Sequence, residues 1–373
     1  MNDNFSFYMP VRIVSGLGSS KEMSSFVKGE NVFIISDPFL FKSGVAKEIG
    51  ESLAGKTVTY FADVEPNPTC KSVDIASSQA RAMKADCVIG IGGGSALDVA
   101  KIVACLVTNE GSIYDYYAGG KQKLSSREVT LICIPTTAGT GSEVTNVGVY
   151  TDQRVGAKMP MVEELFWPDV AILDDELTFT LPADVTAATG MDAFCHGIEA
   201  YWSEASVPIS DVLAVEALKL IFGNLRKATL EPNHREARHK MLYASLLSGV
   251  AFSQTRTTGV HAVSFPLTTE FNVSHGLACA ITLPAFIRIS GEKKEEKMAR
   301  LAKELGYENI NTLADAVETL MEEIGLPTRL NELGVTKEDL KHIAEVGLRA
   351  PVVHLTPATM NEETLHTLLK TIL

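Results

Sequence analysis

The sequence predicts an α/β N-terminal domain with a mostly parallel sheet over residues 1–181, followed by an all-α C-terminal domain over residues 182–373. Three observations predict it. Short apolar runs alternate with helical stretches through the first half, a glycine cluster joins one such run to a helix, and at Leu181-Pro182 the alternation gives way to helical periodicity alone.

Taken in order, Val32–Ile35, Thr57–Phe61, Cys87–Ile91, Val129–Ile134 and Val170–Leu173 are continuous apolar or β-branched runs. An unbroken run, unlike an alternating one, suits a strand covered on both faces, which is how parallel sheets flanked by helices are built. Lys71–Ala85 and Ser95–Thr108 read as crossover helices between strands. After Pro182, Leu213, Ala217, Leu220 and Ile221 repeat at helical spacing, as do Leu242, Leu246, Gly249 and Val250, and these stripes read as core. Pro266 and Pro284 are expected to end or interrupt helices.

With 373 residues the chain exceeds one ordinary core, so two domains are expected. Its 46% hydrophobic and 21% charged content is ordinary for a globular protein, and there is no long apolar span. The stretch Met1–Pro10 lacks the basic start and apolar centre of a secretory signal. Six cysteines (Cys70, Cys87, Cys105, Cys133, Cys195, Cys279) follow no paired spacing and read as reduced core thiols. These features predict a cytoplasmic enzyme with no membrane partner. The formal charge of −13 opposes nucleic-acid binding, which needs a basic surface.

Two motifs carry chemistry. In Ile89-Gly-Ile-Gly-Gly-Gly-Ser-Ala-Leu-Asp-Val-Ala-Lys101 an apolar run meets glycines and then a helical pattern. Glycines let backbone approach a pyrophosphate, and the N–H groups at the following helix start bind the anion. Ser95 is expected to cap that helix. The spacing departs from Gly-x-Gly-x-x-Gly because Ser95 stands where the last glycine belongs, and a plain strand-to-helix turn is the alternative reading. The second motif is Asp192-Ala-Phe-Cys-His196, whose acid and imidazole share one helix face. Together with His261 and His275 they offer one carboxylate and three imidazoles, a donor set suited to a divalent transition metal. The alternative for each residue alone is a solvated helix face or a satisfied core histidine.

Gly92–Lys101, Pro135-Thr-Thr-Ala-Gly-Thr-Gly-Ser-Glu143, Asp192–His196 and the His261 and His275 segments resemble, in the same order, the iron-containing (group III) alcohol dehydrogenase family, and the likeness covers nearly the whole chain. The resemblance implies a dinucleotide-binding α/β domain and a helical metal-binding domain, the dehydroquinate-synthase-like architecture. It implies Asp192, His196, His261 and His275 as metal ligands. Gly93, Gly94 and Ser95 would hold the pyrophosphate, Thr136, Thr137 and Thr140 would line the adenosine and phosphate region, and Asn67 and Lys158 match further cofactor positions. Asp37, following the Val32–Ser36 run, would accept from ribose hydroxyls and repel a 2′-phosphate, favouring NAD over NADP; a turn or cap residue before Pro38 is the alternative. The donor set suits Fe2+ or Zn2+, and the resemblance favours iron. The implied activity is hydride transfer between NAD(H) and a small primary alcohol or aldehyde, by a chain that forms homo-oligomers. The alternatives are an NAD- and metal-dependent lyase of the dehydroquinate synthase type and a non-catalytic metal-binding protein.

Two positions depart from the family pattern. Phe265 stands four residues after His261, where many members carry a second histidine that can relay a proton. Arg256 stands where relatives commonly have glycine, and arginine suits capture of a carboxylate or phosphonate. The pair resembles the branch containing phosphonoacetaldehyde reductases, which implies a short anionic aldehyde. A surface arginine on a helix and a core phenylalanine are the alternative.

Overall fold

Six parallel strands form the main sheet in the order β1-β8-β5-β4-β2-β3. The strands are β1 (Arg12–Ser15), β2 (Asn31–Ser36), β3 (Thr57–Phe61), β4 (Cys87–Gly92), β5 (Thr130–Pro135) and β8 (Val170–Leu173), while β6 (Val147–Asp152) and β7 (Ala157–Val162) pair separately as an antiparallel hairpin. The computed structural model describes residues 4–117 and 119–373. β4 and β5 are buried at every position, which is why their sequences are unbroken apolar runs. Helices α1 (Pro38–Lys42), α2 (Val45–Glu51), α3 (Cys70–Ala82) and α4 (Gly94–Thr108) connect these strands. α4 carries ten buried residues and packs in one core with the α3 face formed by Val73, Ala76 and Ala80.

The order contains a reversal. β2 leads outward to β3, yet β4 returns to pair with β2 on its other side before the chain runs on to β5. β2 and β4 therefore sit side by side with connections leaving in opposite directions, and at such a switch point the strand C-termini open a crevice for ligands. Both ends carry residues singled out above: Asp37 follows β2, and Gly92 closes β4.

The second unit is helical: α5 (Ala183–Trp202), α6 (Pro208–Leu230), α7 (Arg235–Thr255), α8 (Gly259–Glu270), α9 (His275–Ala280), α10 (Leu283–Lys293), α11 (Glu295–Glu304), α12 (Ile310–Glu323), α13 (Leu340–Gly347) and α14 (Glu362–Lys370). By contact it comprises Phe179–Leu373 with residues 4–8 and Ala138–Thr140, and the α/β unit comprises Met9–Thr137 and Gly141–Thr178. One core cluster runs from Ala187 on α5 to Leu369 on α14. Leu242, Leu246 and Val250 are buried on α7 as their spacing predicts. All six cysteines are free and buried. Among the described residues no helix is long and apolar enough to cross a membrane.

The structure corrects three expectations. Ser95 is not the cap of α4: the helix starts at Gly94, Gly93 precedes it in extended backbone, and no side chain caps it. Pro266 lies inside α8, which continues to Glu270, and Pro284 falls in the first turn of α10, where a missing N–H costs nothing. β1, β6 and β7 went unread. β1 has four residues, three of them exposed, and β6 alternates between buried and half-buried positions, so neither presents the continuous apolar run of a central strand.

Candidate metal and dinucleotide sites

In the α/β unit the glycine turn is a consequence of packing. Gly92 has φ 150°, and a side chain there would meet Ala96 Cβ at 2.8 Å and Asp37 Oδ2 at 3.5 Å. With no side chain at the helix start, the backbone of Gly93, Gly94 and Ser95 fits an anion at an uncapped N-terminus. Thr136 N–H donates to the Gly92 carbonyl (3.0 Å), and Thr137 flanks Gly93. Asp37 is the cap of α1, Oδ1 accepting from Leu40 N–H at 2.9 Å, so the alternative reading describes what it does within the chain. Its second oxygen faces the Gly92 turn. Asn67, at φ 54°, accepts from Lys158 Nζ at 2.8 Å, which joins two predicted residues 91 positions apart. Thr140 belongs by contact to the helical unit.

In the helical unit, α5 supplies Asp192 and His196, α8 supplies His261, and α9 begins at His275. Gly276 lets α9 lie against α5: a side chain there would meet the Ala188 carbonyl oxygen at 2.1 Å. His261 Nε2 lies 3.5 Å and His275 Nε2 3.8 Å from Asp192 Oδ1, and His196 Nδ1 lies 3.9 Å from Asp192 Oδ2. Such gaps are long for hydrogen bonds, but donors sharing a cation at ~2.1 Å stand roughly 3.4 Å apart. Asp192 Oδ1, His196 Nδ1 and His261 Nε2 are buried without a hydrogen-bond partner among the described residues. Orphaned polar atoms of this kind are costly, and a divalent cation would satisfy all three at once. The donor set therefore fits a metal.

Cys279 is the member the sequence did not announce. Its sulfur joins Asp192, His261 and His275 in a group whose ligand atoms all lie within 4.8 Å of one another, and it stands one helical turn after His275 on α9. The Asp-x-x-x-His logic applied to His275-x-x-x-Cys279 is the signal that could have found it. His196 lies just outside this group, its ring stacked on Phe252 at 4.2 Å and hydrogen-bonded to the Gly139 backbone.

Electrostatics follow from crowding. Burial raises the Asp192 carboxyl, but His196, His275 and His261 outweigh it and hold the group well below the usual carboxylate range. Burial pushes His196 down to about 4, keeping it neutral and able to donate a lone pair. Burial opposes charge on His261, yet Cys279, Glu199 and Asp192 around it raise its pKa well above that of an ordinary histidine.

Phe265 is half-buried on α8, one turn beyond His261. Arg256 is not on a helix surface. It ends α7 at φ 61°, ψ 172°, with its N–H on the Phe252 carbonyl at 2.8 Å.

A doubly wound nucleotide-type sheet and a helical unit holding carboxylate and imidazole donors define a class, the nicotinamide- and metal-dependent dehydrogenases. The comparisons specify it. Residues 10–175 match the model described as iron-containing alcohol dehydrogenase, and residues 186–373 match the C-terminal model of the Fe-containing alcohol dehydrogenase family. The sulfoacetaldehyde reductase of Bilophila wadsworthia (strain 3_1_6) is 37% identical over 356 residues, 91% of this chain and 92% of that protein. The NAD-dependent methanol dehydrogenase of Bacillus methanolicus is 34% identical over 354 residues, 91% and 92% of the two chains. The crystal structure of sulfoacetaldehyde reductase from Bifidobacterium kashiwanohense in complex with NAD+ superposes with a TM-score of 0.94 at 35% identity, covering 99% of this chain and 98% of that one. The chain belongs to the iron-containing alcohol dehydrogenase family, and it is an NAD-dependent oxidoreductase of the alcohol dehydrogenase type.

Proposed function

We propose that the chain interconverts a short aldehyde bearing an anionic group, with sulfonate, phosphonate and carboxylate as the classes to try, and the corresponding primary alcohol. The carrying observation is Arg256. Its φ and ψ fall in a region that essentially only glycine occupies, at a cost of about 1–3 kcal/mol, and such an outlier persists where surrounding structure holds it and the side chain has a task. The Phe252 carbonyl that holds Arg256 belongs to the residue stacked on His196, so the guanidinium springs from backbone one turn from the donor cluster. Two relatives whose names state sulfoacetaldehyde reduction support the same substrate class.

Asp192, His196, His261 and His275 would hold the metal, and the Gly92–Ser95 turn, Thr136, Thr137, Thr140, Asn67, Lys158 and Asp37 would hold NAD, with Asp37 disfavouring a 2′-phosphate. When bound, the nicotinamide exchanges hydride with the substrate carbon and the metal acts as a Lewis acid. Phe265 offers no proton route, so proton exchange would fall to water, a ribose hydroxyl or another side chain. The reduced buried thiols and the nicotinamide chemistry support a cytoplasmic setting, and homo-oligomers are expected by light scattering. No observation favours the lyase or the non-catalytic reading.

The test compares turnover of sulfoacetaldehyde, phosphonoacetaldehyde and succinic semialdehyde with a neutral aldehyde of equal length, in wild type and Arg256→Ala. Loss of one charge-assisted contact, ~1.5–3 kcal/mol, should lower kcat/KM for the anionic substrates by roughly 10- to 100-fold and spare the neutral one. Equal losses for charged and neutral substrates would sink the assignment.

A further inference from the structure

Glu199 is a fully buried carboxylate that the proposed chemistry leaves unused. It lies on α5 three residues after His196 and seven after Asp192, hence on the same side of the helix. A carboxylate in such a place is tolerated only if its lone pairs are answered. Oε1 accepts from Thr258 Oγ1 at 2.6 Å, Thr258 N–H at 2.8 Å and Val260 N–H at 3.1 Å, groups at the start of α8 that no local side chain caps. Thr258 Oγ1 itself accepts from Trp202 Nε1 at 2.9 Å. Oε2 takes Nδ1 of His261 in a short contact, while the opposite ring nitrogen, Nε2, is the one facing Asp192.

An ionised carboxylate can only accept, so His261 keeps a proton on Nδ1, and Nε2 is the nitrogen that would turn its lone pair to a metal once its own proton is displaced. We propose that Glu199 is a positioning residue. One oxygen fixes the start of α8, and the other fixes the tautomer and ring orientation in which His261 can serve a metal. The inference rests on the metal reading of the cluster.

Glu199→Gln tests it with little change of shape. The amide oxygen can keep the Thr258 and Val260 donors, but the amide NH2 can only donate to Nδ1, which moves the proton onto Nε2. Metal-free wild type and variant are titrated with zinc(II) by calorimetry, and the melting temperature of each metal-free form is measured alongside. The expected result is a folded variant whose zinc affinity falls by roughly 10- to 100-fold. Thr258→Val, which disturbs only the Oε1 side, should lower the melting temperature and leave affinity unchanged. Wild-type affinity in Glu199→Gln, or an equal loss in Thr258→Val, would overturn the proposal. Should Glu199→Gln fail to fold, nitrogen-15 spectra of zinc-loaded wild type decide. They should show a solvent-protected Nδ1 proton on His261, assigned by its loss in His261→Gln, and a bare or freely exchanging Nδ1 overturns the idea. Wild type that takes no zinc or iron would remove the metal reading itself, an outcome separate from failure of Glu199 alone.

Discussion

Each of the two units buries a cluster of charged side chains, and the two clusters are built in opposite ways. In the α/β unit, Lys101 is fully buried on α4, and its three protons go to Ser142 Oγ (2.7 Å), Thr145 Oγ1 (3.1 Å) and the Val147 carbonyl (2.6 Å). Asp98, 3.8 Å away, accepts from Ser142 Oγ and Val149 N–H. Lys101 and Asp98 thus have protein partners throughout, and together they tie β6 and the turn after β5 to α4. In the helical unit, Asp192, His196 and His261 each keep a buried atom with no hydrogen bond among the described residues. A closed network holds a fold together, whereas an open one marks a place for something else to bind.

The contrast is broken most directly by mutating one charge in each cluster. Lys101→Met strands Asp98 and three acceptors, and chemical denaturation of the metal-free chain should show a loss of about 3–5 kcal/mol. Asp192→Asn should cost the metal-free chain less, because the amide keeps the shape and gives up only the charge interaction with the surrounding histidines, leaving no buried charge without its protein partners. It should nevertheless abolish metal retention on gel filtration and metal-dependent NADH oxidation, a larger loss than the roughly 100-fold expected of an outer partner. Comparable destabilisation by the two substitutions would erase the distinction.

A pH series sharpens the comparison within the α/β unit. Glu143 sits in the turn after β5, fully buried with Oε1 unpartnered among the described residues, and burial pushes its pKa up to about 7. The folded state then binds more protons than the unfolded one between the ordinary glutamate value and 7. Its contribution to stability is full below that window and falls as pH rises through 7, by on the order of 3 kcal/mol. Glu143→Gln should melt several degrees above wild type at pH 8 and close to it at pH 4.5. Parallel pH profiles for the two proteins would refute the assignment. The smallest effect is expected at Arg256. Arg256→Gly relieves the positive φ and should stabilise the metal-free chain by about 1 kcal/mol in denaturant titration, while turnover of anionic aldehydes falls. A variant no more stable than wild type would show that the backbone there is unstrained.

Much of this was legible in local sequence. Continuous apolar runs marked β2, β3, β4, β5 and β8 because a strand covered on both faces has no polar positions to show. The spacing of Asp192 and His196 placed both on one helix face before any packing was known. The glycine run located the crevice, although the helix begins one residue ahead of the expected serine cap. β1, β6 and β7 escaped because short exposed or half-buried strands carry little apolar signal.

What the sequence by itself determined was the alternation of strand and helix, the change to helix after Pro182 and the kinds of donor available. Tertiary structure alone decided which of them meet. Glu199 reaches His261 across 62 residues, Lys158 reaches Asn67 across 91, and Cys279 joins the histidines only because Gly276 lets α9 press against α5. The backbone of Arg256 was equally unreadable, since φ at a helix end is imposed by where the next helix must go. Local pattern reports the free energy of forming an element, whereas a site depends on distances between elements, and those are set by how their buried faces pack.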